Sequence, residues 1–240
     1  MRTIFAVVAV CILSAGIFLA GGCAEQACRE RAKAMGLKGC WAFDEASGDA
    51  VKNTAGPNSG RIIDGLQRTA GKSGKAIAFD GKGYVLIDSS PCLNSPQYTF
   101  TACVKLKDTG DYQYIVWRGG PAFPEAREAR TLDLWLSQDG CLSALVDCAN
   151  AAGDRLHLVG KTKVTNDQWH QVAVVVNGKT MAFYVDGQKD AEAALPGPLA
   201  TSDFPLWIGA RPGDVAAKGI IDQVKFFDKA LTPEQLAELK

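Results

Sequence analysis

The chain has 240 residues, and its 26 basic and 26 acidic residues give a formal net charge of zero. A neutral chain without a long basic run argues against a nucleic-acid partner, because binding to a phosphate backbone needs clustered Lys and Arg. A hydrophobic fraction of 47% with five Trp excludes a disordered chain. The length suits one all-β domain behind a leader segment.

Residues 1–23 have the features of an export signal. Arg2 supplies a positive charge, residues 4–20 are almost wholly apolar, and small residues lie just before Cys23. This pattern favours a cleaved signal peptide. A membrane anchor is the alternative, but a spanning helix needs about 20 apolar residues.

The end of the leader also resembles a bacterial lipobox. Leu19 lies one position further from Cys23 than is usual, and Ala20 occupies the usual Leu position. We therefore expect cleavage before Cys23, lipid attachment to its thiol, and an exported lipoprotein held on the membrane of the cell envelope. Ordinary cleavage after Ala24 would instead release a secreted protein.

Export favours disulfide formation, because the cysteines enter an oxidising compartment. The sequence does not choose among the pairings of the six candidates. It argues only against bonding the last two of them, which lie on one predicted extended strand. The absence of a C-x-x-C motif argues against zinc. The candidates are Cys28, Cys40, Cys92, Cys103, Cys141 and Cys148.

After the leader, residues 24–38 are expected to form a tether, with a short helix over residues 25–35 that ends at Gly36. From residue 39 onward, short apolar runs alternate with Gly, Asn and Asp turns, which is typical of a β-sandwich. The predicted strands cover residues 40–43, 76–79, 84–87, 98–106, 114–118, 131–137, 141–147, 155–159, 170–176, 181–185, 206–208 and 220–227.

Turn and capping residues sharpen this prediction. Asn177-Gly178, Asp139-Gly140 and Asp186-Gly187 are typical of tight hairpins. Thr232 with Gln235 forms the pattern of a capping box, which predicts a short C-terminal helix. The last strand alternates strictly, which predicts Ile220, Asp222, Val224 and Phe226 on one face. Since no strand–helix–strand alternation occurs, we expect an all-β, antiparallel two-sheet β-sandwich.

Five segments then occur in a recognisable order over residues 39–240. In this order they resemble the LamG-like jelly-roll domain of the concanavalin A-like lectin/glucanase superfamily. Asn53 replaces the usual Asp of the second segment, and Cys103 stands where a Trp is common. The resemblance implies a fold that mostly binds sugars or proteins and catalyses in only some branches. The segments are WAFDEASGD, the loop 53–60, GKSGKAIAFDGKGYVLI, YTFTACVKL and DQWHQVAVVVNGKTMAFYVDGQ.

The resemblance raises the question of catalysis. Glucanases of this superfamily carry Glu-x-Asp-x-x-Glu on one strand, which places an acid and a nucleophile on one face. The nearest run here is LDLWLSQD, which offers Asp133 and Asp139 but neither Glu. His157 has no evident Asp or Ser partner, and His170 follows Trp169 in a hairpin motif, which favours a structural role. We therefore expect no enzymatic activity.

The resemblance also implies one structural calcium ion, because many jelly rolls join their chain ends through one. Carboxylate oxygens suit this hard cation. The implied ligands are Glu45 and Asp222, with Asp44 and Asp80 less favoured. Asp222 lies within an apolar strand, so its carboxylate needs a partner. A loop amide or a basic side chain is the alternative partner.

The candidate glycan site lies on one strand face. The leucines of LDLWLS share one face, which leaves Trp135 and Asp133 on the other. Trp117 and Arg118, with Tyr112 and Tyr114, could join them from neighbouring strands, and the loop 119–130 could form a wall. Packing of Trp135 beneath that loop is the alternative. The other tryptophans, Trp41, Trp169 and Trp207, are expected in the core.

The sequence thus predicts a non-catalytic exported binding module, carbohydrate-binding at the cell envelope. Its site residues are Trp135, Asp133, Trp117 and Arg118. The alternative is protein–protein adhesion or a structural surface role, in which the partner is a cell-surface protein. An atypical glycoside hydrolase is a third hypothesis, which the missing Glu pair disfavours.

Overall fold

The computed structural model describes residues 30–120, 130–150, 153–211 and 213–239, and the chain divides into two units, residues 1–35 and 36–240. In the first unit residues 30–34 form a short helix, which overlaps the end of the predicted tether helix. The rest of the leader and tether, with Cys23 and Cys28, lies outside the described residues. No helix in the described ranges is long and apolar enough to cross a membrane.

The second unit consists of two antiparallel sheets, which confirms the predicted all-β sandwich. Sixteen strands make up the two sheets. They are β1 (Leu37–Trp41), β2 (Ala50–Val51), β3 (Gly60–Ile63), β4 (Gln67–Ala70), β5 (Lys75–Asp80), β6 (Tyr84–Ile87), β7 (Tyr98–Leu106), β8 (Gln113–Arg118), β9 (Leu132–Leu136), β10 (Cys141–Asp147), β11 (Arg155–Lys163), β12 (His170–Val176), β13 (Thr180–Val185), β14 (Gln188–Ala194), β15 (Leu206–Ile208) and β16 (Lys218–Phe227).

Within the described residues each sheet has eight strands. The first sheet has the order β14-β13-β12-β7-β16-β5-β4, with β1 paired to β16. The second has the order β11-β10-β9-β8-β15-β6-β3-β2. Neighbours along the chain are often separated by strands from elsewhere, as expected for a jelly roll.

The core lies between the two sheets, because alternate residues of each strand point inward. In the second sheet Leu134 and Leu136 of β9 are fully buried in this core, as is Ile208 of β15. In the first sheet Phe100 of β7 and Val174 of β12 meet them from the opposite side. The odd-numbered residues of β9 therefore face away from the core.

The predicted turns and the C-terminal helix are confirmed. Gly178, with φ of 84°, joins β12 to β13, and Gly187, with φ of 75°, joins β13 to β14. The helix α1 covers Pro233–Ala237, with Thr232 as its N-cap. The side chain of Thr232 accepts from the Gln235 amide, while the Gln235 side chain accepts from the Thr232 amide. This reciprocal pair is the expected capping box.

Four strands were not predicted, namely β2, β3, β4 and β14. The strands β4 (QRTA) and β14 (QKDAEAA) contain no buried residue. Both lie at or near the edge of the first sheet, where only one neighbouring strand is needed. Hydrophobic alternation therefore could not reveal them.

The predicted faces of β16 are wrong because the strand contains a β-bulge. Its register shifts between Asp222 and Lys225, and Gln223 adopts a positive φ of 49°. A bulge adds one residue and reverses the alternation that follows it. Ile221 and Val224 consequently both enter the core, whereas strict alternation placed them on opposite faces.

The five described cysteines are free, so no disulfide joins any two of them. Their pairing, including any bond to Cys28, stays a prediction. β10 is extended from Cys141 to Asp147, as expected for the strand that separates the last two cysteines. The free cysteines are Cys40, Cys92, Cys103, Cys141 and Cys148.

Gly209, directly after β15, allows a close approach of backbone and core. Its φ is +85°, and a Cβ there would overlap the ring of buried Phe79. We expect Gly209→Ala to lower the free energy of unfolding by about 3 kcal/mol, as backbone strain adds to overpacking. Gly48 has a similar φ of +79° but open space around it. Gly48→Ala should therefore cost about 1 kcal/mol. Urea unfolding measures both, and equal losses would contradict this explanation.

Candidate functional site

On the outer face of the second sheet, strand pairing places aromatic side chains of several strands next to one another. Trp207 of β15 pairs with Trp117 of β8, and Trp117 pairs with Asp133 of β9. Tyr114 and Trp135 form the next pair along the same two strands. We call this surface the aromatic face. Three of the four predicted site residues, all except Arg118, lie on it.

Trp135 is the accessible aromatic side chain at one end of this face. It is partly exposed, and its indole stacks on the exposed His157 with 5.5 Å between ring centroids and 16° between planes. The ring of Tyr114 lies 6.0 Å away on the other side. Ser143, paired with Trp135 on β10, lies 3.3 Å from the Nε2 atom of His157. His157, which the sequence left without a partner, therefore belongs to this site.

Trp117 lies beneath two arginines and is only 2% exposed. The guanidinium carbon of Arg211 lies 4.6 Å from its ring centroid, and that of Arg130 lies 5.6 Å away. Its Nε1 donates to the carbonyl of Gly119 at 3.2 Å. Cation–π attraction can hold both arginines over the ring. Trp117 therefore supports the face from below.

Asp133 is buried beside Trp117 without a hydrogen bond to one of its oxygens. Asp133 is only 3% exposed, and its Oδ1 atom has no hydrogen-bond partner. Burial raises the pKa of this carboxyl well above its usual range, although the charges of Arg130 and Arg211 oppose that shift. A buried, unpaired carboxyl with a shifted pKa is typical of functional sites.

Arg118 points away from the aromatic face, since neighbouring residues of a strand face opposite sides. It is 1% exposed. Its guanidinium donates to the carbonyls of Leu93, Phe204 and Ser202. It also donates to side-chain oxygens of Asn94 and Thr131. Burial lowers its pKa to about 10. These contacts join three loops, so the sequence-based grouping of Arg118 with Trp117 is not reproduced in space.

The structure does not bring together Asp133 and Asp139, the two aspartates that the sequence offered in place of the glucanase catalytic pattern. Asp133 is buried within β9, whereas Asp139 is exposed in the turn after that strand. His170 is held in its own hairpin, where Nδ1 lies 2.7 Å from Asp186 and Nε2 lies 3.0 Å from Asn166. His170 therefore has a structural role, as its hairpin motif indicates.

A small cavity of about 80 Å³ opens on the outer face of the first sheet. Cys103 lies on its floor and is 7% exposed. Burial raises the pKa of this thiol, so it is a weak nucleophile. The lining residues are Lys72, Cys103, Trp169, His170, Gln171 and Asp186.

The carboxylate of Glu45, an implied calcium ligand, already has protein partners. Its Oε2 atom lies 2.8 Å from the guanidinium of Arg68, and both side chains are largely buried. Its Oε1 atom accepts from the amide of Lys52 at 2.6 Å. A cation would have to displace Arg68, so this carboxylate does not fit a calcium site.

Asp222, the second implied ligand, is bound by backbone amides. Oδ2 accepts from the amide of Ser73 at 3.1 Å, and Oδ1 accepts from that of Gln223 at 2.6 Å. Burial raises the pKa of Asp222, and these amides oppose the shift. Within the described ranges no three His, Cys, Asp or Glu side chains form a group that could hold a metal ion. The loop-amide alternative describes Asp222 better than calcium binding.

The sequence itself now places the chain among known proteins. A sequence model of the Laminin_G_3 family, described as the concanavalin A-like lectin/glucanases superfamily, matches residues 79–237. The chain belongs to this family. Its fold is that of a lectin-like binding module, and the resemblance noted in the sequence is confirmed. A comparison with curated protein sequences gave no match.

Solved structures share the fold at low identity. Domain 4 of AbnA, a GH43 extracellular arabinanase from Geobacillus stearothermophilus, has a TM-score of 0.60 at 19% identity, covering 85% of this chain and 98% of that one. The binding domain of botulinum neurotoxin DC has a TM-score of 0.66 at 10% identity, covering 85% and 50%. The binding domain of paraclostridial mosquitocidal protein 1 has a TM-score of 0.63 at 14% identity, covering 85% and 51%. The chain thus spans about half of each toxin domain.

The raised pKa of Asp133 predicts a pH-dependent stability difference. A carboxyl whose pKa is higher when folded binds its proton more tightly in the folded state, so its contribution to stability falls as pH rises above about 4. We expect Asp133→Asn to raise the free energy of unfolding at pH 7 and to leave it nearly unchanged at pH 4. Denaturant titration at both values measures this difference. A variant that is destabilised equally at both pH values would contradict the unpaired state of Asp133.

Proposed function

We propose that this protein is a non-catalytic exported binding module that holds a glycan on its aromatic face. The observation behind this proposal is the partly exposed indole of Trp135, which stacks on the ring of His157 and lies tilted at 37° beside the ring of Tyr114. A ring held in place by such contacts loses little side-chain entropy when a ligand packs on it. Sugars present an apolar C–H face, which can pack on such a ring.

A polar group beside Trp135 can meet the hydroxyl edge of a sugar. The imidazole of His157 is exposed, and its Nε2 atom lies 3.3 Å from the hydroxyl of the buried Ser143. A few convergent polar groups in an apolar setting are typical of ligand sites. Trp117 and Asp133 lie deeper, and we propose that they position Arg130 and Arg211. Arg118 is left out, because its guanidinium is fully used by loop carbonyls and side chains.

Two structural neighbours support a glycan ligand for this chain. The arabinanase domain is in complex with arabinotriose, and the neurotoxin domain is in complex with SialylT. Both complexes are those of the neighbouring proteins. For this chain they make carbohydrate the first class of ligand to test.

Protein adhesion is the second candidate function. Val159 is 49% exposed on the same strand face as His157, and Leu145, which pairs with His157 from β10, is partly exposed. Apolar side chains in such a group suit a protein partner as well as a sugar ring. A cell-surface protein would then occupy the end of the aromatic face near β11.

A glycan array probed with the full chain in detergent tests the proposed function. We expect at least one glycan to bind, and Trp135→Ala to weaken it roughly tenfold, which is about 1.4 kcal/mol. Trp169→Ala, just before β12 and beside the cavity of the first sheet, is the matched control and should bind as the wild type does. Melting temperatures of both variants show whether they are folded.

The array also separates the alternatives when it is run with calcium and again with EDTA. Loss of glycan binding in EDTA would support a calcium ion at Glu45 and Asp222, although the contacts of these two carboxylates do not favour one. A blank array from folded protein would reject the glycan proposal in favour of protein adhesion.

We also propose that the leader delivers this domain to the cell envelope and that Cys23 carries its lipid anchor. The Leu19–Cys23 pattern and the apolar stretch before it support this. Two or more acyl chains give stable membrane attachment. We expect the wild type in the membrane fraction and Cys23→Ala in the soluble fraction of expressing cells. Equal distribution of the two proteins would contradict lipidation.

A further inference from the structure

A second stacked pair of rings lies on the aromatic face, away from Trp135. The rings of Tyr84 on β6 and Trp207 on β15 lie 4.8 Å apart with 14° between their planes. Both side chains are partly exposed. The sequence-based expectation that Trp207 lies in the core does not hold, because Leu206 and Ile208 on either side of it are the core residues. A partly exposed Trp that is already stacked on a neighbouring ring offers a flat apolar surface on which a ligand can pack.

The position of this pair relative to Trp135 follows from the strand order. The strands β6, β15, β8 and β9 are consecutive neighbours in the second sheet. Adjacent strands lie about 4.8 Å apart, so the backbones of Trp207 and Trp135 are separated by roughly 10 Å across the sheet. Tyr84 extends the surface by one further strand. The two stacked pairs therefore lie on one face, along a line that crosses the strands.

Charged hydrogen-bond donors occupy the space between the two pairs. Arg211 and Arg130 lie over Trp117, the residue that is in register with Trp207. The Nη1 atom of Arg211 donates to the hydroxyl of Tyr114 and to the carboxylate of Asp214, each at 3.2 Å, and its Nε atom is buried without a hydrogen-bond partner. A ligand that crosses from one pair to the other would pass over these guanidinium groups. Hydroxyl oxygens are suitable acceptors for such donors.

Polar side chains also border the far pair. Leu86 pairs with Trp207 on one side and with Arg61 on the other. The guanidinium of Arg61 lies 3.6 Å from the carboxylate of Asp88, and the two side chains are 55% and 69% exposed. This ion pair offers both donors and acceptors at the edge of the apolar surface formed by Leu86, Trp207 and Tyr84. Trp207 therefore has polar side chains beside it, as Trp135 has His157.

We infer that Trp207 and Tyr84 form a second stacking subsite, so that one linear oligosaccharide runs across the strands from Trp135 to Trp207. This inference rests on the proposed function, since it assigns a shape to the same class of ligand. An extended chain engages both platforms at once, and the second contact is then intramolecular. Short oligosaccharides reach only one platform and bind more weakly.

The test compares chain lengths. Linear arabino-, xylo- and cello-oligosaccharides from disaccharide to octasaccharide are titrated against the full chain, and affinity is measured by calorimetry. We expect the affinity of the wild type to rise with length, by roughly tenfold once both platforms are spanned. Trp207→Ala should abolish that rise while short oligosaccharides bind as before. Trp207→Phe, which retains a ring against Tyr84, should keep most of it.

Controls separate failure of this inference from failure of the proposed function. Tyr84→Ala should reproduce Trp207→Ala, and the control Trp169→Ala should match the wild type. If Trp135→Ala weakens binding while Trp207→Ala changes nothing at any length, the second subsite is refuted and the glycan function stands. If Trp207→Ala weakens the shortest oligosaccharides as much as the longest, a spanning chain is refuted. If folded wild type binds none of the series, the extended-chain inference is rejected, while the array decides on glycan binding in general.

Discussion

The apolar contact between the inner faces of the two sheets determines which side chains are left for function. Each strand that contributes alternate residues to this core must turn its intervening residues outward. Burial of Leu134 and Leu136 therefore turns the side chains of Asp133 and Trp135 to the opposite face of the sheet. The same constraint acts on β15, whose inward Leu and Ile residues leave Trp207 outside. The aromatic face is thus a consequence of core packing on adjacent strands, and a change that shifts strand register would disperse it.

Two buried charged side chains near this face illustrate the difference between structural and functional burial. Arg118 donates to carbonyl and side-chain oxygens of three loops, so its desolvation is offset by hydrogen bonds. Asp133 has an unpaired oxygen and a raised pKa, so its desolvation is not offset. Natural proteins tolerate such a cost mainly where function requires it. This contrast, rather than proximity in sequence, separates Arg118 from the site.

Much of the fold was predictable because its signals are local. Asn-Gly and Asp-Gly turns, the Thr232 capping box and the alternation around Trp135 each depend on a few neighbouring residues. The polar edge strands β4 and β14 were missed, since neither has a buried face to produce a pattern. The bulge at Gln223 was missed because a positive φ at a non-glycine residue depends on tertiary contacts. The stacking of Trp207 on Tyr84 and of Trp135 on His157 could not be predicted, because it depends on the order of strands in the sheet, which no local signal contains.

The central claim is that a glycan packs on the aromatic face, and the chain offers five tryptophan indoles as reporters of it. The most direct measurement is a two-dimensional NMR titration of these indole N–H signals with the glycan that binds best on the array. We expect the signals of Trp135 and Trp207 to shift saturably, while those of the core Trp41 and of Trp169, just before β12, stay in place. Shifts confined to Trp169, beside the cavity on the first sheet, would contradict it and would move the binding site to the other side of the sandwich.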